Sequence, residues 1–127
     1  MARDPNIPDA FDVYTVVVLR RPADPPEMTE DELTALQGRH LAYRSQLSQD
    51  GVLVANGPCL QQSDPSYRGI SIFACDAAEA ARLSDADPSV LAGRLTYDVM
   101  DWWVAAGSLA FPLSHREVGV RQSMPDH

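Results

Sequence analysis

Lysine is absent from this 127-residue chain, so that arginine supplies all ten basic side chains. Without lysine there is no Schiff-base nucleophile, no anchor for pyridoxal phosphate and no Walker-type phosphate lysine. Cysteine is scarce as well, and Cys59 and Cys75 are too far apart for a thiolate zinc cluster or a Cys-x-x-Cys redox pair. Both cysteines lie in strand-like segments, where we expect small buried thiols without a disulfide.

Long apolar runs and a basic stripe are also missing. No apolar run reaches the roughly 18 residues that a membrane span needs, and the N-terminus lacks the apolar core of a secretory signal. Ten basic residues against 18 acidic ones give a net charge of -8, which argues against a nucleic-acid partner. Histidine, cysteine and acidic residues do not cluster at metal-ligand spacing. We therefore expect a single cytoplasmic domain with no membrane, nucleic-acid or metal partner.

Four β-branched or aromatic segments predict strands, and two segments with helical periodicity predict helices. The predicted strands are 13–20, 52–55, 68–75 and 94–104, and the predicted helices are about 29–50 and 76–86. Asn56-Gly57-Pro58 is expected to close the second strand. Gly69, inside the third, indicates a bulge or a close approach of two backbones.

Capping signals define where the helices begin. Thr29 with Glu32 and Asp76 with Glu79 have the spacing of capping boxes. Asp87, directly before Pro88, is typical of an N-cap that starts one further helical turn.

The order β-α-β-β-α-β predicts a ferredoxin-like α+β fold, with two helices on one face of a four-stranded antiparallel sheet. The other face would expose Val16, Val18 and aromatic residues, and soluble monomers rarely keep such a patch. A second copy packed sheet to sheet would cover it, so we expect a homodimer. We expect a flexible leader over residues 1–12, the domain over 13–108 and a tail over 109–127.

His40 is unusual because it lies within the apolar stripe of the first helix. At about 100° per residue it shares a face with Leu33, Leu36 and Leu47, and Arg44 follows one turn later. Two interpretations stay open from the spacing: a neutral core imidazole with a hydrogen-bond partner, or an acid–base group in a pocket.

Other candidate residues also have a purely structural interpretation. Asp87 is explained by its cap alone. Arg68 and Arg94, at strand starts, are either solvated or paired at the rim, or receive an anionic substrate. The Trp102-Trp103 pair is more typical of core and dimer packing than of a stacking platform.

Several short segments in a fixed order resemble the YciI-related (YCII domain) family. They are His40-Leu41-Ala42-Tyr43-Arg44, Gly51 to Pro58, Arg68 to Phe73, Ala86-Asp87-Pro88, Gly93-Arg94-Leu95 and Trp102. The resemblance implies a dimeric ferredoxin-like α/β barrel. It also implies a His–Asp pair lining a cleft between helix and sheet, which maps onto His40 and Asp87.

With the resemblance, the sequence predicts a cofactor-independent lyase or isomerase, of the dehydrochlorinase or muconolactone-isomerase kind, acting on a small cyclic oxygenated metabolite. His40 would be the general base and Asp87 would orient it. The residues expected to bind substrate are Tyr43, Arg44, Gly57, Pro58 and Arg68. The alternative is a non-catalytic dimer that binds a small ligand or acts as a scaffold, since the chain shows no nucleophile, metal set or cofactor motif.

Overall fold

Strands and helices follow one another in the predicted order in the computed structural model, which describes residues 4–111. They are β1 (Phe11–Arg20), α1 (Glu30–Gln49), β2 (Leu53–Pro58), β3 (Tyr67–Phe73), α2 (Ala77–Asp85), α3 (Pro88–Leu91) and β4 (Thr96–Ala105). The short α3 is the single turn that the Asp-Pro pair predicts.

The four strands form one antiparallel sheet in the order β2-β3-β1-β4. β1 lies in the middle, with Val17 opposite Ser71 of β3 and opposite Val99 of β4. This is the topology of a ferredoxin-like α+β fold, in which each helix connects two strands of the same sheet.

One face of the sheet is buried beneath the helices. Thr15, Val17 and Leu19 alternate along β1 and are all buried, as the two-residue period of a strand requires. Val17 and Leu19 pack with Leu47 of α1 and Ala80 of α2 in the main apolar cluster. The helices therefore cover this face, and a cleft between a helix and the sheet can open only where the helix layer ends.

The predicted helix starts are present. Thr29 Oγ1 accepts from Glu32 N at 3.2 Å, and Glu32 Oε1 accepts from Thr29 N at 3.1 Å, which completes the capping box of α1. Asp76 accepts from Glu79 N at 2.8 Å at the start of α2. Gly51, with a φ of 82°, follows α1 in the left-handed conformation that favours glycine.

β2 extends further than the sequence predicts, because Asn56, Gly57 and Pro58 belong to the strand and do not close it. β2 lies at the edge of the sheet, and Cys59 N donates to Arg68 O of β3. The alternation of the strand therefore directs the Pro58 nitrogen to the open edge, where no hydrogen bond is lost.

Gly69 fulfils both expectations for its position. The pairing of β1 with β3 shifts register beside it, as in a β-bulge. A Cβ atom at Gly69 would also lie only 3.2 Å from the carbonyl oxygen of Gly57. A larger residue would push β2 away from β3 at this point.

The opposite face of the sheet carries apolar residues without a helix over them. Those with large exposed fractions are Ile70, Met100 and Trp102, and those half-buried are Tyr14, Val16, Val18 and Ile72. We call these seven residues the open face. Phe111 reaches this face, since its ring meets Tyr14 edge-on at 5.5 Å.

The ends of the chain differ in part from expectation. β1 begins at Phe11, within the segment expected to be a leader, and the Phe11 ring lies 5.6 Å from that of Trp103. Of the expected tail, residues 112–127 lie outside the described part. None of the helices within residues 4–111 has the length and apolar character needed to cross a membrane.

Candidate functional site

An open cleft of about 680 Å³ lies between α1 and the β2–β3 edge of the sheet. The segments before and after the helices complete its wall. Residues from α1 that line it include Glu30, Leu33, Leu36, Gln37, His40 and Leu41. From the strands and their ends it is lined by Leu19, Arg21, Asn56, Gly57, Pro58, Arg68, Gly69, Ser71, Arg94 and Leu95. A cleft of this volume suits a small molecule.

His40 lines this cleft, and Asp87 lies behind it, fully buried. His40 Nδ1 lies 2.8 Å from Asp87 Oδ1, although the residues are 47 positions apart in the chain. The Asp87 side chain is 0% exposed and that of His40 is 12% exposed. A carboxylate only accepts hydrogen bonds, so the contact places the proton on Nδ1 and leaves Nε2 as an acceptor.

Asp87 is both the cap of α3 and the partner of His40. Its Oδ1 accepts from Ser89 N at 2.9 Å and faces His40 Nδ1 as well. One oxygen therefore carries both contacts, and Oδ2 is directed elsewhere. The cap holds the carboxylate at the start of α3, and α3 contacts α1, which carries His40.

Arg44 provides the positive charge behind the pair. It lies one helical turn after His40, its side chain is only 4% exposed, and its Nη1 is 3.6 Å from Asp87 Oδ2. That distance makes an ion pair longer than a hydrogen bond. Arg44 Nη2 donates to Ser71 Oγ, and its guanidinium lies 5.7 Å from the centre of the Phe73 ring.

The electrostatics of these groups reflect their burial. Burial lowers the pKa of Arg44, and the charge of Asp87 opposes that change by favouring the protonated guanidinium. Burial raises the pKa of Tyr43, and the negative charge of Asp87 raises it further. Arg44 thus stays the cation that balances a carboxylate with no exposure to solvent.

The His40 tautomer is directly measurable. In a long-range ¹H–¹⁵N spectrum of the neutral ring, we expect the proton on Nδ1, because Nδ1 faces the Asp87 carboxylate at 2.8 Å. In Asp87→Asn the partner can donate as well as accept, so the population should move towards the Nε2-protonated form. The signals are assigned by their loss in His40→Gln. An Nε2-protonated ring in the native protein would contradict donation from Nδ1 to the carboxylate.

The structure brings some of the expected substrate-binding residues to the cleft and leaves others behind it. Gly57, Pro58 and Arg68 line the cleft together with His40. Arg44 does not line the cleft: it lies behind the wall, in contact with buried Asp87 and with Ser71, which does line the cleft. Tyr43 packs against the main apolar cluster, and its hydroxyl donates to Leu83 O at 2.7 Å.

The Tyr43→Phe variant tests whether Tyr43 belongs to the packed interior or to the ligand-binding surface of the cleft. Removing the hydroxyl leaves the Leu83 carbonyl without this donor, and we expect a loss of about 1 kcal/mol of unfolding free energy. Ligand affinity of the cleft should stay the same, since the hydroxyl is directed at α2. Urea unfolding measures the change in unfolding free energy, and ligand titration of the same preparation measures the change in affinity. Weaker ligand binding with unchanged stability would place the tyrosine in the binding surface.

Ser71 and Arg21 are among the residues of the site that were not predicted from the sequence. Ser71, which accepts from Arg44, is buried on the helix side of β3, in alternation with Phe73. Arg21 lines the cleft and continues the side of β1 on which Leu19 is buried. Strand alternation is the signal that would have found both.

Across residues 4–111, no three histidine, cysteine or acidic side chains are grouped so that they could hold a metal ion. Cys59 and Cys75 are free thiols, and both are partly buried.

The fold and the cleft define a ferredoxin-like α+β protein in which a histidine at an open cleft contacts a buried aspartate. The chain belongs to the YCII-related domain family, whose pattern matches residues 12–103.

A solved structure shares the fold. It is 5-chloro-2-hydroxyhydroquinone dehydrochlorinase from Burkholderia phenoliruptrix, in complex with 2,5-dihydroxybenzoquinone. The likeness has a TM-score of 0.50 and 19% sequence identity, over 72% of this chain and 93% of that chain. At that identity it shows a common fold. No curated protein matches this chain in sequence.

Proposed function

We propose that this protein is a cofactor-independent acid–base enzyme, a lyase or isomerase that acts on a small cyclic oxygenated metabolite. The observation that carries the proposal is the contact of His40 Nδ1 with the fully buried carboxylate of Asp87, at the wall of an open cleft. A core histidine needs only a hydrogen-bond partner. A buried carboxylate in that position also stabilises the imidazolium that forms when Nε2 takes up a proton.

The proposed reaction begins with proton abstraction. His40 Nε2 accepts a proton from an sp³ carbon next to a carbonyl, or next to the carbonyl in the keto tautomer of a phenol. The electron pair of that C–H bond forms a C=C bond, and the carbonyl oxygen takes up the negative charge. Arg68 lines the cleft, and in this scheme its positive charge neutralises the developing oxyanion. In isomerisation, the imidazolium then returns its proton to another carbon of the enolate system. In elimination, the electron pair of the enolate instead forms a C=C bond as the bond to a leaving group such as chloride breaks, and the imidazolium passes its proton to solvent.

Arg44 acts in this scheme as a positioning residue. It makes contact with Asp87 and Ser71, and its side chain is almost completely buried. Its contact with Ser71 holds the guanidinium in place, and its Nη1 directs the positive charge at Asp87 Oδ2 from 3.6 Å.

Proton abstraction is testable before the natural substrate is known. The full chain is incubated in D₂O with chlorinated hydroxyquinols, including 5-chloro-2-hydroxyhydroquinone, and with unsaturated lactones. Loss of a ring C–H signal in the NMR spectrum or release of chloride, above the rate in buffer, supports the proposal. If cleft ligands bind but no compound exchanges a proton or reacts, the non-catalytic binding protein is the better description.

We further propose that the open face is covered by a second copy of this chain. Three large apolar side chains of the open face are exposed to solvent, Ile70, Met100 and Trp102. The other four residues of this face are half-buried around them. Contiguous apolar surface of this kind marks an interaction site. The competing occupant is the end of the same chain, because Phe111 already contacts Tyr14 there.

Trp102→Glu tests the dimer, with Trp103→Glu as the matched control. The two tryptophans are neighbours in β4 on opposite sides of the sheet, with exposed fractions of 40% and 60%. For Trp102→Glu we expect the dissociation constant of the dimer to rise by about 30-fold or more, as for a central interface residue. Trp103→Glu should keep a mass of twice the 13.9 kDa chain in light scattering. A native protein with the mass of one chain would rule the second copy out.

A further inference from the structure

Three arginines line the same cleft as His40, and each comes from a different part of the fold. Arg21 directly follows β1, Arg68 lies in β3, and Arg94 follows α3. They are thus brought together by the tertiary structure and not by one basic run in the sequence.

The charges of these arginines are not neutralised by acids within residues 4–111. Arg21 and Arg68 make no ion pair there, and Arg94 Nη1 donates to the Pro26 carbonyl at 2.9 Å. By contrast, Arg20 and Arg82 are both paired with carboxylates. Burial lowers the pKa of Arg21, and the nearby positive charges of Arg68 and Arg94 lower it further.

The charged residues that line the cleft are mostly basic, whereas the net charge of the whole chain is negative. The chain has ten basic and 18 acidic residues, yet three arginines and one acidic residue, Glu30, line the cleft within the described part. A cleft with a local excess of one charge concentrates small ions of the opposite charge. Arginine also binds carboxylate and phosphate oxygens through two parallel N–H groups.

We propose that Arg21, Arg68 and Arg94 form an oxyanion-binding subsite for a carboxylate or phosphate group of the ligand. The substrate class becomes a small cyclic metabolite that carries such a group in addition to the carbon whose proton His40 removes. That His40 removes a proton from this carbon rests on the proposed function, whereas the anion subsite is inferred from the three arginines alone.

Binding of simple anions to the full-length protein tests the subsite. The probes are benzoate, phenyl phosphate and the neutral analogue benzamide, titrated by calorimetry and by ¹H–¹⁵N NMR at constant ionic strength. We expect at least one of the two anions to bind the native protein about 10-fold more tightly than benzamide does. Loss of one charged hydrogen-bonding group, in Arg68→Gln or Arg21→Gln, should weaken binding of that anion by about 10-fold. The better of the two anions identifies the group as carboxylate or phosphate.

Arg39→Gln is the matched control, because Arg39 is exposed on α1 and is not among the residues lining the cleft. It changes the net charge equally and should leave the affinity for the anion unchanged. The subsite would be overturned if Arg39→Gln weakened anion binding as much as the cleft variants do. It would also be overturned if benzamide bound as tightly as the anions, or if neither anion bound. His40→Gln separates the two proposals: it should strongly reduce the rate of proton exchange while the anion still binds.

Discussion

Replacing Arg44 by methionine is expected to lower the free energy of unfolding by about 3–5 kcal/mol. The substitution keeps much of the side-chain volume but removes the positive charge 3.6 Å from Asp87 Oδ2. Asp87 is 0% exposed, so that water cannot replace the lost cation. Ser71 would also lose its guanidinium donor. Urea unfolding of the native and variant proteins measures the difference.

Two further variants show whether the charge is responsible. Arg39→Met removes an exposed arginine from the same helix and should stay within about 0.5 kcal/mol of the native protein. Arg44→Met combined with Asp87→Asn leaves no unpaired charge and should recover part of the loss. A cost below about 1 kcal/mol for Arg44→Met alone would mean that Asp87 does not depend on this cation.

His40→Gln is expected to reduce the rate of proton exchange by about 100-fold to 10,000-fold, the usual contribution of a general base. Glutamine retains a polar group that can contact Asp87, but it cannot take up a proton near neutral pH. The rate is measured in D₂O with whichever compound the native protein turns over. Circular dichroism and thermal unfolding establish that the variant is folded.

Chemical rescue sharpens this experiment. In His40→Ala, free imidazole in the buffer should restore part of the exchange rate, since the cleft opens to solvent and the space of the ring is vacated. Arg39→Gln, on the same helix outside the cleft, should exchange at the native rate. Native-like exchange in both His40 variants would assign the proton transfer to another group.

Much of the fold follows from short-range patterns. The β-branched residues of β1 and the Thr29–Glu32 capping box lie where the sequence predicts them, because each depends on neighbours a few positions apart. The end of β2 was predicted wrongly, since proline is excluded from central strands but tolerated on an edge. The order of the strands in the sheet determines whether β2 is a central or an edge strand, and no local sequence pattern reveals that order.

The candidate site was predictable only in part. Helical periodicity places His40, Tyr43 and Arg44 on the inner side of α1, but it does not separate the cleft wall from the packed interior. The structure makes that separation: His40 lines the cleft, Arg44 is buried beneath it, and Tyr43 is directed at Leu83. The angle at which α1 crosses the sheet and α3 determines which of the three side chains a ligand can reach.

By itself, the sequence determined the strands, the helix starts and the presence of an ionisable side chain on an apolar helix face. These depend on propensity, side-chain period and capping, which act within a few residues. The resemblance to a family implied the pairing of His40 with Asp87, but no pattern within a few residues did. The tertiary structure placed the two in contact across 47 positions and brought Arg21, Arg68 and Arg94 to one cleft. The physical reason is that contacts between elements are set by how the helices pack on the sheet. That packing minimises exposed apolar surface and unpaired buried charge over the whole domain at once.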